Sequence, residues 1–251
     1  EDVMKPRQRY DALQIRDYLR NRGTRGAIVR YFYRPFDTRW LYWDAETKLL
    51  DEKRSEYFPH VREDNVWIEA RQRITTQFDR GMFTSVIGDN IGNGLSTYFH
   101  LYLYNDPGSS QPQMRDMFSA PGRRANLTKE SQTYLDRLGA DAESLFYHAL
   151  AIMHAQAYRV ENAGALRQDW PRVPLPEALT TLETSARLGR QVAALLDVER
   201  EVEGVTAGNI RDDLREIAVP STTGNMPDYS VQGWGYLANG ATMPGQGTVH
   251  E

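Results

Sequence analysis

Arginine is the side chain best placed to do chemistry here. Of the 30 basic residues, only Lys5, Lys48, Lys53 and Lys129 are lysine; the rest are arginine. A guanidinium offers a planar fork of donors that matches phosphate oxygens and the guanine edge. A GC-rich coding sequence produces the same bias without any function. Spacing adds information. In NVWIEARQRITT, Arg71 and Arg73 lie two apart on a run that reads as a strand, so both leave one face with Trp67 and Glu69. Val66, Ile68 and Ala70 then turn into a core, leaving an exposed arginine face. Glu69 is placed to pair with either arginine and hold its fork. Arg80 follows, beside Gly81, where a turn is expected.

Catalytic constellations are scarce. Asp37 and Asp44 are the carboxylates that a stand-alone hydrolase would use as acid and base. His148 and His154 share a helical segment but sit six apart, not the three or four of helical metal pairs. His100 alternates with tyrosines and reads as a half-buried strand histidine. Asp212 and Asp213 read as a solvated acidic pair. GDNIGNG (Gly88–Gly94) is glycine-rich, but a strand follows it where a phosphate cradle needs a helix. No G-x-x-x-x-G-K-[ST] loop, G-x-S-x-G elbow or [ND]-P-P-[FY] motif occurs. Tyr31, Tyr33, Trp40, Tyr42 and Trp43 can stack on bases, although aromatic strands usually bury one face.

The 251 residues are 40% hydrophobic and 25% charged, as in an ordinary globular protein. A net charge of −4 argues against a uniformly basic nucleic-acid coat. The distribution is uneven: residues 1–80 carry 17 Lys+Arg against 14 Asp+Glu, whereas residues 173–251 carry 5 against 11. The absence of cysteine excludes disulfides and thiolate metal sites and fits a cytoplasmic protein. No apolar run is long enough for a bilayer and no signal peptide is visible, so no membrane partner is expected. The chain begins at Glu1, as a piece of a longer chain would.

The elements expected to position these residues divide into an α/β (α+β) arrangement. It has a mixed, mainly antiparallel β-rich region (1–126), a helical region (127–205) and an irregular C-terminal segment (206–251). AIVRYFYRPF reads as a strand interrupted by Pro35, and WLYWDAETKLL as two short strands around Asp44–Lys48. LSTYFHLYLY alternates, with Leu95, Thr97, Phe99, Leu101 and Leu103 on one face. The Pro/Gly/Ser/Gln-rich stretch 105–126 predicts a long surface loop. A helix is expected from Thr128 to Gly139, and another from Asp141 through Tyr158 and Arg159, with Phe146, Leu150, Met153 and Ala157 on one stripe. Leu179, Leu182, Ala186, Gly189, Ala193 and Leu196 then recur at spacings of three and four, a seam for another helix.

Several segments together resemble one family. YFYRPFDTRWLYWD (Tyr31–Asp44), EKRSEYFPHV and NVWIEARQR are similar to the C-terminal specificity domain of type ISP restriction-modification enzymes. So are YHALAIMHAQAYRVENAGALRQDWPRVPLP (Tyr147–Pro176), with its Asp169–Pro174 stretch, and GWGYLANGATMPGQG (Gly233–Gly247). The resemblance implies a target-recognition domain that reads double-stranded DNA within a longer polypeptide. The other modules of such a polypeptide are an adenine methyltransferase and helicase/nuclease modules. It implies no catalytic residue and no cofactor in this chain; S-adenosylmethionine, ATP and Mg belong to the parent's other modules. The candidate DNA contacts are then Arg34, Arg39, Lys53, Arg54, Arg71, Arg73, Arg80, Arg123 and Arg124. The competing expectations are the hydrolase above and a structural protein-interaction domain docking through the 179–196 helix.

Overall fold

The computed structural model describes residues 12–24, 26–43, 55–73, 81–88, 96–104, 123–212, 230–236 and 242–250. They belong to two units, one comprising Glu1–Arg73 with Arg80–Glu199, the other Ile74–Asp79 with Arg200–Glu251. The β-rich residues up to 126 and the helices after them share the first unit, and both helices and antiparallel strands are present, as an α+β class requires.

The first unit opens with helix α1 (Ala12–Arg22), which buries Ile15 and ends at Gly23, whose φ of 80° suits glycine. Strands β1 (Ala27–Arg34) and β2 (Asp37–Trp43) form an antiparallel ribbon. Arg34 pairs with Asp37, so Pro35 does not merely interrupt a strand: with Phe36 it makes the two-residue turn. The second strand expected after Asp44 lies outside the described residues.

A 3₁₀ turn (Ser55–His60) leads into a three-stranded antiparallel sheet ordered β4 (Met82–Thr84), β3 (Trp67–Ala70), β5 (Thr97–His100). The expectation of an exposed arginine face here is corrected. β3 is the central strand and all four of its residues are buried. The strand stops at Ala70, so Arg71 follows it rather than alternating along it. The Ile68–Phe99 side looks across a cavity of about 570 Å³ toward the next helical layer, while Trp67 on the other side meets the rings of Tyr57 and His100.

LSTYFHLYLY is also not one strand. The Leu101 N–H bonds the Val66 carbonyl and the Leu101 carbonyl accepts from the Asn126 N–H, which bends the chain away from β3. It continues as β6 (Tyr102–Tyr104), paired with β7 (Arg123–Ala125). The end of the expected 105–126 loop is therefore a strand. Burial separates the two faces of β5: Tyr98 is 4% exposed, Phe99 43%. Tyr98 packs beneath Gly88, which lies beyond the end of β4 and bridges to Phe32 of β1, whereas Phe99 borders the cavity.

The helices begin where the caps predict. Thr128 caps α2 (Lys129–Leu138), accepting from Ser131 N–H at 3.2 Å, and Gly139 closes it with a φ of 69°. Asp141 caps α3 (Ala142–His154), accepting from Ser144 N–H at 2.7 Å. The longer helix expected there breaks at Ala155. α4 (Gln156–Glu161) and α5 (Ala163–Leu166) follow, and Ala157 is exposed rather than part of the buried stripe. At the break, His154 Nε2 donates to the Gly81 carbonyl at 2.7 Å, a long-range bond that sequence periodicity does not encode.

α6 (Leu179–Leu196) buries Leu182, Ala186, Gly189, Ala193 and Leu196, with Leu179 half-buried. The partner of the expected seam is α3 of the same chain, where Gly189 lies against the Tyr147 carbonyl. Between α5 and α6 the Asp169–Pro176 stretch runs without regular structure as a strap. His148 Nε2 donates to Pro174 O at 2.8 Å, Tyr134 Oη to Pro176 O at 2.7 Å, and Tyr158 Oη to Arg172 O at 3.1 Å.

The second unit contains an antiparallel pair, β8 (Ser230–Tyr236) and β9 (Thr242–His250). The expectation of little regular structure after Thr206 is thus corrected. Glycines 233, 235, 245 and 247 and Pro244 lower local strand propensity and mask the pattern. Val231–Val249 and Trp234–Gly247 pairing restores it in two irregular steps. Among the described residues, no helix is long and apolar enough to cross a membrane.

Candidate nucleic-acid interface

Two arginine clusters are mounted on tyrosine rings. At the end of the β1–β2 ribbon, the Arg39 guanidinium stands 4.1 Å from the Tyr33 ring centroid and that of Arg34 5.0 Å. Both arginines are exposed. Asp37 grips Arg39 from the side, with Nε donating to Oδ1 at 2.9 Å and Nη2 to Oδ2 at 2.6 Å. That hydrogen bond holds the Asp37 carboxyl below its usual range and raises Arg39. Asp37 is therefore an ion-pair partner. A carboxylate so stabilised is a poor base and no acid near neutral pH, and Asp44, its expected partner, lies outside the described residues.

The second cluster is built on β6 and β7. Asn65 is fully buried and uses all of its amide: Nδ2 donates to His60 O and Tyr102 O, and Oδ1 accepts from Val66 N–H and Tyr102 N–H. His60 Nδ1 accepts from Tyr104 N–H at 3.1 Å. These bonds lock the 3₁₀ turn beside β6. Tyr102 Oη donates to Glu143 at 2.8 Å, and burial together with that bond pushes the phenol up to about 12. The fixed Tyr102 ring supports Arg123 at 3.9 Å, while Arg123 Nη1 bonds Asp64 at 3.1 Å. Arg62 lies 4.9 Å from the Tyr104 ring centroid. Arg124, opposite Leu103 on β6, is exposed.

Burial of the His60–His100 stack (4.4 Å between rings) lowers both histidines, His100 to about 4; Arg124 and Arg62 add to the effect on His60. Both rings are thus neutral near pH 7. His100 is structural, half-buried among Tyr57, Trp67 and His60.

Of the sequence candidates, the structure groups Arg34 with Arg39 and Arg123 with Arg124. Arg73 is exposed in the bend after β3. Arg71 is not an exposed contact: its side chain is 3% exposed and lies 3.5 Å from Glu69 Oε1. Glu69, wholly buried, also accepts from Ser96 Oγ at 2.6 Å and Met82 N–H at 3.2 Å. Lys53, Arg54 and Arg80 lie outside the described residues. Sequence reasoning missed Arg62, whose ring partner is 42 positions away, and the tyrosine supports. Among the described residues, no group of three or more His, Cys, Asp or Glu is placed to hold a metal ion.

The chain adopts the fold of part of the protein in a DrdV–DNA complex, at 24% identity and a TM-score of 0.53, over 69% of this chain and 16% of that one. It is similar also to LlaBIII, an ATP-dependent type ISP restriction-modification enzyme solved bound to DNA, at 17% identity and a TM-score of 0.55, over 77% of this chain and 12% of that one. This chain thus spans a small fraction of the proteins it resembles. No curated protein sequence matches it. The family model described as the type ISP C-terminal specificity domain matches residues 6–231, nearly the whole chain, and the chain belongs to that family.

Proposed function

We propose that this domain recognises duplex DNA as the specificity module of a larger restriction-modification enzyme. The observation that carries the reading is the pair of exposed arginine clusters braced on Tyr33 and Tyr102. An arginine stacked on a fixed ring and steered by one carboxylate keeps outward-facing donors in a defined direction, as contacts to phosphates or guanine edges require. Arg34, Arg39, Arg73, Arg123 and Arg124 are the proposed contacts, with Arg62 added beside the second cluster. Lys53, Arg54 and Arg80 remain candidates from sequence. Arg71 supports the sheet. Family membership supports a parent chain carrying adenine methyltransferase and helicase/nuclease modules, in the cytoplasm, with S-adenosylmethionine, ATP and Mg bound by those modules. The interaction-domain reading loses its docking surface, because α3 already covers the α6 seam.

The test is binding of the chain to a duplex selected from a randomised pool, measured against salt. A log–log plot falling steeply with salt supports the proposal, since each neutralised phosphate contributes roughly −0.9 to the slope. Absence of binding at low salt overturns it.

A further inference from the structure

Phe36 braces neither arginine cluster. It occupies the turn of the β1–β2 ribbon with a φ of 63°, the one positive φ on a non-glycine residue among those described, and its side chain is 53% exposed. Pro35 before it has φ fixed near −65°, so the primed turns of ordinary two-residue hairpins are closed to this loop. Proline then a positive φ is the type II pattern, which normally takes glycine or asparagine second. A bulky ring there is conformationally costly and exposes apolar surface to water. Neither cost is offset by contacts of the kind that bury the neighbouring Phe32, which is 3% exposed.

Resting on the proposed DNA recognition, we propose that Phe36 is a wedge: its ring enters between two base pairs from the minor groove, unstacking them and bending the duplex. The flanking charges fit this occupant. Arg34 precedes the turn and Arg39 follows it, one on each strand, both exposed and both against Tyr33, with the single carboxylate of Asp37, ion-paired with Arg39 and also attracted by Arg34, set against two cations. An apolar tip between two cations matches a base step flanked by phosphates, and side chains such as phenylalanine are used in this way to kink DNA. The positive φ is the backbone conformation that the turn requires while it carries the ring at its tip.

The experiment uses a duplex selected by the chain from a randomised pool, with 2-aminopurine substituted in turn at each purine of both strands. The parent should give a fluorescence rise at one step, reporting loss of stacking. F36G, which relieves the backbone strain and so keeps the turn, should lose that rise while retaining a salt-dependent complex. F36L should retain it. A parent complex with no rise at any purine, or a rise unchanged in F36G, overturns the wedge and leaves DNA recognition standing. A chain that binds no duplex removes both.

Discussion

Gly189 of α6 meets the backbone carbonyl of Tyr147 on α3 so closely that a Cβ at position 189 would overlap its oxygen and carbon. The obstacle is backbone, which cannot swing aside as a side chain tip can. G189A should therefore destabilise the first unit by about 1–3 kcal/mol, overpacking outweighing alanine's better helix propensity. G164A, at a helical glycine with open space around its Cβ, should be neutral or slightly stabilising. Urea denaturation of both decides it; a G189A midpoint equal to the parent's rejects the close-contact account.

Removing Arg71 should act on stability rather than on recognition. Its guanidinium and Glu69 share a site from which water is excluded. R71A leaves the buried Glu69 carboxylate, still hydrogen-bonded to Ser96 and Met82, without its opposing charge, and breaking a buried ion pair in this way costs about 3–5 kcal/mol. The melting temperature should fall sharply, and below that temperature the salt slope of DNA binding should match the parent's. A fully stable R71A that binds DNA with a reduced slope contradicts the placement.

For the exposed arginines the expectation is the opposite. R124A and R34A should leave stability within roughly 0.5 kcal/mol of the parent. Each variant that loses a phosphate contact should reduce the salt slope by about one unit across all sequences. An arginine that instead reads a base should cost about 1–3 kcal/mol at one base pair. If both variants bind cognate and scrambled duplexes like the parent, these positions are not contacts.

Acid should weaken the fold in a window set by His100. Its pKa is about 4 in the folded chain, lowered chiefly by burial, against an ordinary 6.5. Between those values the unfolded chain binds more protons, so stability rises with pH there and is lost as pH falls from about 6.5 toward 4. Asp37 and Asp141, lowered from 3.8, withdraw their contributions only at more acidic pH. H100Q should flatten the melting-temperature profile between pH 4 and 6.5 without abolishing its slope, since His60 remains. An unaltered profile rules His100 out as the cause.

What could be read from the sequence was what is local. Thr128, Gly139 and Asp141 delimit helices through their own side chains or backbone freedom, and the α6 stripe follows from helical period alone. The family was legible from segments spread along the chain. The status of Arg71 was not, because burial of both faces of β3 depends on β4, β5 and the helical layer, all distant in sequence. Glu69 was named in advance as a possible partner, yet period-two alternation cannot tell an edge strand from a central one. Tyr33 and Tyr102 became visible as supports only when register and the Asn65 network fixed their rings.

The strap at Asp169–Pro176 is held by three side-chain donors from three helices, and every acceptor is a main-chain carbonyl. A carbonyl is common to all amino acids. The strap's own side chains at 172, 174 and 176 are thus largely interchangeable as far as these bonds go, provided the extended backbone that proline favours is kept. His148, Tyr134 and Tyr158 have no such latitude. A substitution library across both groups should therefore divide sharply, permissive at 172, 174 and 176 and intolerant at the three anchors.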